Sequence, residues 1–316
     1  MQTARHGRTH RQAMNRLLAI DWGSTSLRAA LLDEAGGVLD ERAAQRGMLS
    51  IAPAEFAEVF EQHFGDWMDL PGTHCLMAGM VGSKQGWVEA GYCACPAGLG
   101  EIAAALKPVD TRSMKQGRRI AIVPGVSCDH AGVPDVMRGE ETQVLGALDL
   151  LGAQEGVFVL PGTHSKWVTV EAGRIRDLST VMSGEFYDLL RRHSILARTL
   201  GPAEATLDEA AFDRGVVVAL QGGSLMQTAF SVRTLALFER MAAEALASYL
   251  SGLVIGEELR CRPLRHGSKI MVIGAPALAG RFERALRLQG VTAVLLGGEA
   301  AWRGLWVIDA RARACL

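Results

Sequence analysis

The 316-residue chain is long enough for two domains of ordinary size. Hydrophobic residues make up 49% of it and charged residues 21%, a balance typical of a soluble globular protein. Its formal net charge of −1 provides no overall attraction for nucleic acid or for an anionic membrane, so an anionic ligand needs a local site.

The N-terminal segment and the cysteines indicate a cytoplasmic protein. Residues 1–15 are basic and lack an apolar core segment, so they form neither a signal peptide nor a membrane anchor. We expect them to be a disordered extension, with Met14 as an alternative start. The six cysteines form neither a CxxC pair nor a zinc pattern. We expect them to be buried, reduced thiols.

A strand–polar turn–strand pattern opens each half of the chain, which indicates an internal duplication. In the first half the turn is Asp21–Ser26, and in the second half it is Pro161–Ser165. Gly23 corresponds to Gly162 in this alignment. The predicted strands of the two hairpins are Leu17–Ile20, Leu27–Leu32 and Val38–Arg42 in the first and Val157–Leu160, Lys166–Val170 and Ile175–Leu178 in the second.

Strands alternate with helices elsewhere, which predicts an α/β fold. The boundary is expected near residue 152, giving domains 16–151 and 152–316. The remaining predicted elements are helix Pro53–Phe64, strand Cys75–Ala78, strand Ile120–Val123, helix Glu140–Leu151, a long helical stretch Leu235–Leu259, strand Lys269–Ile273 and helix Arg281–Gln289, closed by Gly290.

The first turn has the composition of a phosphate loop. Asp21 ends a strand, where one carboxylate can hold a hydrated Mg²⁺. The residues that follow allow close backbone approach and offer N–H and hydroxyl donors: Gly23, Ser24, Thr25 and Ser26. An ordinary hairpin turn rich in small polar residues is the alternative interpretation.

The second turn lacks an acid but carries donors and a cation. Gly162 is followed by Thr163, His164, Ser165 and Lys166. A cationic loop facing an acidic loop across a cleft suits a triphosphate with its metal. A hydrogen-bonded loop histidine and a solvated lysine are equally acceptable interpretations of His164 and Lys166. The occurrence of both loops in one repeat is stronger evidence than either loop alone.

Two hairpin-borne phosphate loops on duplicated domains resemble the superfamily of actin, heat-shock chaperones and sugar kinases, whose ribonuclease-H-like domains flank an ATP cleft. Three stretches are similar to the 2-dehydro-3-deoxygalactonokinase family: MAGMVGSKQGWVEA at 77–90, PDVMRGEETQVLGAL at 134–148 and LPGTHSKWV at 160–168. Their order and spacing match as well. The resemblance extends from about residue 16 to the C-terminus.

The resemblance implies an ATP- and Mg²⁺-dependent kinase and assigns roles by position. Asp21 would anchor Mg²⁺, and the two turns would bind phosphates. Gly274 and Ala275 match the adenosine motif, although a plain strand-to-helix turn is the alternative. Glu140 is the first choice for the base that accepts the proton of the attacking hydroxyl, with Glu141 and Asp135 as rivals. Two glutamates at a helix start also suit the helix dipole.

Substrate specificity is expected in the loop after residue 78. A sugar-acid carboxylate requires a cation or a helix N-terminus. Arg138 is one candidate, although it could instead form a structural salt bridge with the neighbouring glutamates. Trp87 is expected in the core or the cleft wall. The loop candidates, whose glycines would let the loop close around a small ligand, are Met80, Gly82, Ser83, Lys84 and Gln85.

Two other functions fit the same fold. A kinase of another sugar is one, and the 77–90 loop argues against it. A non-catalytic ATP-binding module like actin is the other, but such proteins need a polymer interface or an appended peptide-binding domain. The expected ligands are therefore a small sugar acid and ATP, without nucleic acid or membrane. We also expect the two domains to close over the nucleotide. A homodimer is compatible with the sequence.

Overall fold

The computed structural model describes residues 15–115, 117–200 and 206–315. Residues 1–14 lie outside this part of the chain, so the predicted N-terminal extension is not tested. The first strand begins at Arg16. Within the described residues, no helix is both long enough and apolar enough to cross a bilayer.

In its described residues, the first half of the chain forms ten strands and three α-helices, and it opens with three consecutive strands. These elements are β1 (Arg16–Trp22), β2 (Leu27–Leu32), β3 (Val38–Ala44), α1 (Phe56–Met68), β4 (Thr73–Ala78), β5 (Tyr92–Ala94), β6 (Ala97–Gly98), α2 (Leu99–Ala104), β7 (Lys107–Pro108), β8 (Ile120–Ile122), β9 (Gly125–His130), β10 (Val133–Met137) and α3 (Glu140–Leu151).

The second half opens with a similar hairpin and continues into a largely helical region. Its elements are β11 (Gly156–Leu160), β12 (Ser165–Glu171), β13 (Arg174–Val181), α4 (Ser183–His193), α5 (Glu209–Leu220), α6 (Leu225–Thr228), α7 (Ser231–Leu237), α8 (Leu246–Arg260), β14 (Lys269–Ile273), α9 (Pro276–Leu288), β15 (Thr292–Leu296) and α10 (Glu299–Arg313).

The two main sheets share a five-stranded topology and differ in the edge to which the sixth strand is added. The first has the strand order β3-β2-β1-β4-β8-β7, and the second has the order β15-β14-β11-β12-β13-β6. Each sheet contains an antiparallel three-stranded meander, β1–β3 in the first sheet and β11–β13 in the second. Two further strands lie next to the first strand of the meander and run parallel to it: β4 and β8 in the first sheet, and β14 and β15 in the second. The predicted duplication is therefore confirmed at the level of strand order. It places the turns after β1 and β11 at corresponding positions in their sheets.

Helices α3 and α10 lie together in a core that includes residues of both sheets. Their backbones approach unusually closely. A Cβ atom at Gly146 would lie 1.9 Å from the carbonyl oxygen of Ala300, and one at Gly304 would lie 1.9 Å from that of Thr142. Only glycine permits this approach, so the contact fixes how the last helix is seated.

The predicted domain boundary near residue 152 stays a prediction. Two segments pack against elements on the other side of it. Helix α10, from the second half, packs against α2, α3 and β1 of the first half. Strand β6, from the first half, pairs with β13. A smaller sheet of order β10-β9-β5 also contacts β13 through β10. The two halves are therefore joined by several elements besides the chain connection itself.

Aromatic residues fill the outer face of the first sheet beneath α1. Trp87 stacks nearly parallel to Phe56, with ring centroids 6.2 Å apart, and packs edge-on against Trp22 at 6.5 Å. Trp87 is therefore partly buried and packs against the core, one of the two places predicted for it. The corresponding face of the second sheet is covered by α5, α8 and α9.

Some element boundaries differ from prediction. The expected helix Leu235–Leu259 is wrong as a single element, because α7 ends at Leu237 and α8 begins at Leu246. Between them Glu239 adopts a left-handed conformation with φ of 52°, which a continuous helix does not allow. Helix α1 begins three residues later than predicted, and α9 begins earlier, at Pro276, because proline suits the first helical turn.

The expectation of six buried, reduced thiols is also wrong. Cys95 and Cys128 form a disulfide, because the pairing of β5 with β9 brings their Cα atoms to 5.3 Å. Cys75 is a buried free thiol, as expected, and burial raises its pKa. Cys261 and Cys315 are exposed.

Candidate active site

The turn after β1 is held from outside by a neighbouring segment. The N–H of Gly23 donates to the carbonyl oxygen of Ser26 (2.9 Å) and closes the turn, while the N–H of Gly47 donates to that of Thr25 (3.1 Å). A Cβ atom at Gly47 would lie 2.2 Å from Thr25, so this approach requires glycine. These bonds use carbonyl oxygens of the turn. The hydroxyls of Ser24, Thr25 and Ser26 are not involved in them and can serve phosphate oxygens.

Asp21 lies beside this turn with a side chain that is 17% exposed. Arg28 donates to its Oδ2 atom (2.5 Å). Our sequence reasoning did not single out Arg28, although the hairpin register places it directly opposite Asp21 on β2. One carboxylate oxygen is thus paired with the arginine, and the other approaches the loop after β4. A carboxylate with one free oxygen fits a Mg²⁺ ion that is otherwise bound by water and phosphate.

Two glycines bring three chain segments together at this point. Gly79 follows β4 with φ of 95°, and Gly139 precedes α3 with φ of 106°. A Cβ atom on Gly79 would lie 2.8 Å from the Trp22 carbonyl oxygen and 3.2 Å from Asp21 Oδ1, and one on Gly139 would lie 3.1 Å from Gly79 Cα. Both positions therefore exclude side chains. We call Asp21, Gly79, Gly139 and Glu140 the catalytic corner.

The two glutamates at the start of α3 differ in accessibility. Glu140 is partly exposed, and its Oε2 atom accepts from the backbone N–H of Arg138 (3.0 Å). Glu141 is fully buried, and its Oε2 atom accepts from the N–H of Gly139 (2.7 Å). Glu140 is therefore the one of the two that a substrate can reach. Glu141 supports the turn from inside.

Electrostatics separate the two carboxyl groups further. Burial raises the pKa of Glu140, and Asp21 adds to the rise, whereas the positive charge of Lys166 opposes it. Burial raises the pKa of Glu141 to about 8, with a further contribution from the charge of Glu140. Asp21 comes from the first half of the chain and Lys166 from the second.

Asp135, the third predicted acid, is engaged elsewhere. The N–H (2.6 Å) and the hydroxyl of Thr180 both donate to its carboxylate. Burial alone would raise the pKa of Asp135, but these hydrogen bonds outweigh it and hold the pKa below its usual value. Asp135 therefore joins β10 to β13, and the structure does not place it in the catalytic corner.

The second turn is held by the first residues of α4. The Thr163 carbonyl oxygen accepts from the N–H of Glu185 (3.0 Å), whose side chain also bonds His164 Nε2 (2.6 Å). Ser165 is buried, and its hydroxyl bonds that of Ser183 (3.0 Å). Sequence reasoning missed these α4 residues, which carry no local signal. Thr163 remains exposed, while Ser165 faces inward.

Lys166 is buried rather than solvated. Its Nζ atom donates to the Val136 carbonyl oxygen and to the Thr180 hydroxyl, each at 2.8 Å. The lysine thus reaches from β12 to β10, which belongs to the first half of the chain. Its charge acts on Glu140 as described above.

Arg138 lies beneath the predicted substrate loop. It is 9% exposed, and its guanidinium lies 4.4 Å above the Tyr92 ring while Nη2 donates to the Gly91 carbonyl oxygen (2.9 Å). Its Nε and Nη1 atoms are buried and have no hydrogen-bond partner among the described residues. No ion pair of Arg138 occurs there either, so the alternative of a structural salt bridge is wrong. Nη1 lies 3.0 Å from where a Cβ atom of Gly82 would be.

The other loop candidates are distributed around this arginine. Met80–Gly82 forms one turn of 3₁₀ helix, and the Ser83 hydroxyl is buried without a partner in the described chain. Lys84 and Gln85 are exposed at the tip of the loop. The structure therefore brings Gly82 next to Arg138 and leaves Lys84 and Gln85 on the surface.

Gly274 and Ala275 lie where β14 turns into α9. The N–H of Gly274 donates to the Leu296 carbonyl oxygen (3.2 Å), and a Cβ atom there would lie 3.6 Å from Pro161, beside the second turn. A small cavity next to them is lined by Gly162 from the second turn, Tyr187 from α4 and Leu278 from α9. The predicted adenosine motif and the predicted second phosphate loop are thus adjacent.

The duplicated sheets define a protein of the actin-like ATPase fold, with two ribonuclease-H-like domains. Component A of (R)-2-hydroxyglutaryl-CoA dehydratase from Acidaminococcus fermentans has this fold too, with a TM-score of 0.50 and 14% identity over 96% of this chain and 100% of that one. The chain belongs to the 2-keto-3-deoxy-galactonokinase family, whose model matches residues 21–308.

Curated and solved relatives agree with this membership. A Rhizobium meliloti protein named as a 2-dehydro-3-deoxygalactonokinase is 36% identical over 303 residues, which cover 91% of this chain and 97% of the relative. The 2-dehydro-3-deoxygalactonokinase of Escherichia coli is 34% identical over 290 residues, covering 91% and 95%. A crystal structure named for the same enzyme from Sinorhizobium meliloti superposes with a TM-score of 0.84 at 35% identity, covering 95% and 99%.

Proposed function

We propose that this chain transfers the γ-phosphoryl group of ATP to the 6-hydroxyl of 2-dehydro-3-deoxy-D-galactonate. The observation that carries the proposal is the convergence of three features in one place. They are the acid Asp21, the acid Glu140 and the buried Nη1 of Arg138, which has no partner in the described chain, on segments joined through Gly79 and Gly139. Family membership supports the same reaction.

The two turns would hold the triphosphate from opposite sides. The first offers the hydroxyls of Ser24, Thr25 and Ser26, and the second offers Thr163 with its backbone. Mg²⁺ would be held by Asp21, where it neutralises charge on the phosphates. Adenosine would lie against Gly274 and Ala275, because their exposed backbone allows close approach. His164 and Ser165 are already engaged with α4 and would act by shaping the loop.

Glu140 would accept the proton of the attacking hydroxyl. It is accessible, it starts the helix that lies between the sheets, and burial keeps its pKa above that of an ordinary glutamate. A base with a pKa nearer neutrality accepts a hydroxyl proton more readily, while in-line positioning and charge neutralisation supply most of the rate. Asp135 and Glu141 are less suited, because Asp135 is held by two hydrogen bonds from Thr180 and Glu141 is fully buried.

Arg138 would bind the substrate carboxylate through Nη1, which has no partner in the described chain and lies on the side of Gly82. Leaving this donor buried without a partner costs free energy, and a carboxylate removes that cost. Ser83, whose buried hydroxyl also has no partner in the described chain, could contribute to the same site.

A coupled assay for ADP release tests the proposal. Purified protein would be supplied with MgATP and, in turn, 2-dehydro-3-deoxygalactonate, its gluconate epimer and neutral aldoses. We expect turnover with the keto-deoxy acids and none with aldoses. Efficient phosphorylation of an aldose without activity on the acids would refute the substrate assignment. A pellet that forms in ATP-dependent sedimentation would instead favour a filament. Cytoplasmic location and a homodimer remain expectations.

A further inference from the structure

A further cavity lies on the helical face of the second sheet, beyond the end of α8. Its volume is about 310 Å³. Its floor consists of neighbouring positions on β12 and β13, because Trp167 pairs with Ser179 and Thr169 pairs with Asp177. We call it the 262–269 cavity, after the segment leading from α8 into β14, which supplies the wall through Arg262, Pro263, Leu264, Arg265, Ser268 and Lys269.

The 262–269 cavity is separate from the second turn. Strand β11 runs from Val157, which lines the cavity, to Leu160 beside the turn, a distance of roughly 10 Å at about 3.3 Å per residue. Side chains alternate between the two faces of a strand, so Trp167 lies on the opposite face from Lys166, whose side chain reaches β10. The cavity therefore lies outside the region assigned to ATP and the sugar acid.

Three cations and one carboxylate line the 262–269 cavity. The cations are Arg262, Arg265 and Lys269, and the carboxylate is Asp177. Among the described residues none of these three cations forms an ion pair, whereas Asp177 lies 3.6 Å from His130 Nε2. The lining therefore carries uncompensated positive charge, although the chain as a whole has a net charge of −1.

Arg262 is held in a defined position beside this space. Its Nη1 atom donates to the Ser179 hydroxyl (2.5 Å), and its guanidinium carbon lies 5.1 Å from the centre of the Trp167 ring. Trp167 is itself fixed, because its indole N–H donates to the buried Glu258 (2.7 Å). Arg262 Nε is buried without a partner in the described chain, and burial lowers the pKa of Arg262 although the charge of Glu258 opposes this change. A cation that has lost water without gaining an ion pair is stabilised by a bound anion.

We propose that the 262–269 cavity binds a phosphate group, either free or as the ester of a small metabolite. Three cations against one carboxylate suit a dianion, and guanidinium donors match the oxygens of phosphate. The Ser179 hydroxyl accepts from Arg262, so it keeps its own proton for an oxygen of the ligand. Pro263 and Leu264 offer apolar surface to the carbon part of an ester. The inference does not depend on the proposed function.

Isothermal titration calorimetry of the full-length protein with inorganic phosphate tests the proposal. A non-hydrolysable ATP analogue with Mg²⁺ is present throughout, so that phosphate cannot bind at the two turns. Wild-type protein should bind phosphate, and Arg262→Met should raise Kd by about tenfold or more, because it removes a charge-assisted hydrogen bond. Arg265→Met should also weaken binding, and it serves if the Arg262 variant unfolds, because Arg265 is exposed. Arg287→Met, at an exposed arginine of α9, is the matched control and should leave Kd unchanged.

Glycerol 3-phosphate, titrated in the same way, distinguishes the two sources of phosphate. Tighter binding than that of inorganic phosphate assigns the cavity to an ester, and equal binding assigns it to free phosphate. Three results would overturn the inference: no binding of phosphate by the wild type, equal weakening in Arg287→Met, or malonate binding as tightly as phosphate. Thermal unfolding checks that each variant is folded. None of these measurements involves turnover of the sugar acid, so their failure leaves the proposed function standing.

Discussion

Replacing Arg138 by methionine tests how the substrate is recognised. The change removes the guanidinium, with its unpartnered Nη1 donor and its contact with the Tyr92 ring, while keeping most of the apolar stem. A hydrogen bond to a charged group contributes about 1.5 to 3 kcal/mol. That free energy predicts a KM for the sugar acid that is higher by about tenfold to a hundredfold.

The assay compares the sugar acid with a neutral analogue in which a hydroxymethyl group replaces the carboxylate. Wild-type enzyme should prefer the acid strongly, and Arg138→Met should lose most of that preference while retaining its KM for ATP. Arg138→Lys keeps the charge without the guanidinium donors and should fall between them. Arg119→Met, at an exposed arginine, is the matched control for the substitution itself.

Two results would contradict this account. If Arg138→Met keeps the preference for the acid, Arg138 does not bind the carboxylate. If Lys84→Met abolishes that preference instead, the exposed loop tip is the carboxylate site. Thermal unfolding of each variant separates a loss of recognition from a loss of fold.

Three further predictions follow from the catalytic corner and the helix contact. Glu140→Gln should lower kcat by about a hundredfold to ten-thousandfold with little change in KM. In the wild type, the acid limb of the pH profile of kcat should lie above pH 4.5, because the pKa of Glu140 is raised from that value. The pKa of Glu141 is raised from 4.5 to about 8, so the stability that this carboxyl contributes is full below pH 4.5 and is lost as pH rises through about 8. Glu141→Gln should therefore match wild type in thermal unfolding near pH 4.5 and exceed it above about pH 8, by on the order of 1 to 3 kcal/mol; equal Tm values across that range would contradict the shift. Gly304→Ala should destabilise the fold by about 1 to 3 kcal/mol in denaturant unfolding, because its Cβ would lie 1.9 Å from the Thr142 carbonyl oxygen. Gly280→Ala, where nothing lies within 4 Å, is the control and should be neutral or stabilising.

Local patterns predicted the framework of the molecule well. The alternation and turn residues of the two hairpins predicted β1, β2, β11 and β12 within one or two residues, because strand periodicity and turn chemistry are properties of adjacent residues. The repetition of that pattern predicted the internal duplication. The position of Asp21 at the end of a strand followed from the same reasoning.

Contacts between distant residues had to come from the tertiary structure. Nothing near Lys166 in the sequence indicates that Thr180 and Val136 would bury its ammonium, and Asp135 is separated from Thr180 by 45 residues. The pairing of Cys95 with Cys128 likewise depends on the register of β5 and β9. Such partners are selected by the packing of whole elements.

The sequence by itself therefore determined which residue types stand at the strand ends, and hence the class of chemistry they can perform. Only the tertiary structure decided that Glu140 is accessible while Glu141 is fully buried, although the two are neighbours of one type. The reason is that burial and charge depend on every element packed around a residue. A pattern along the chain records its neighbours in sequence and not its neighbours in space.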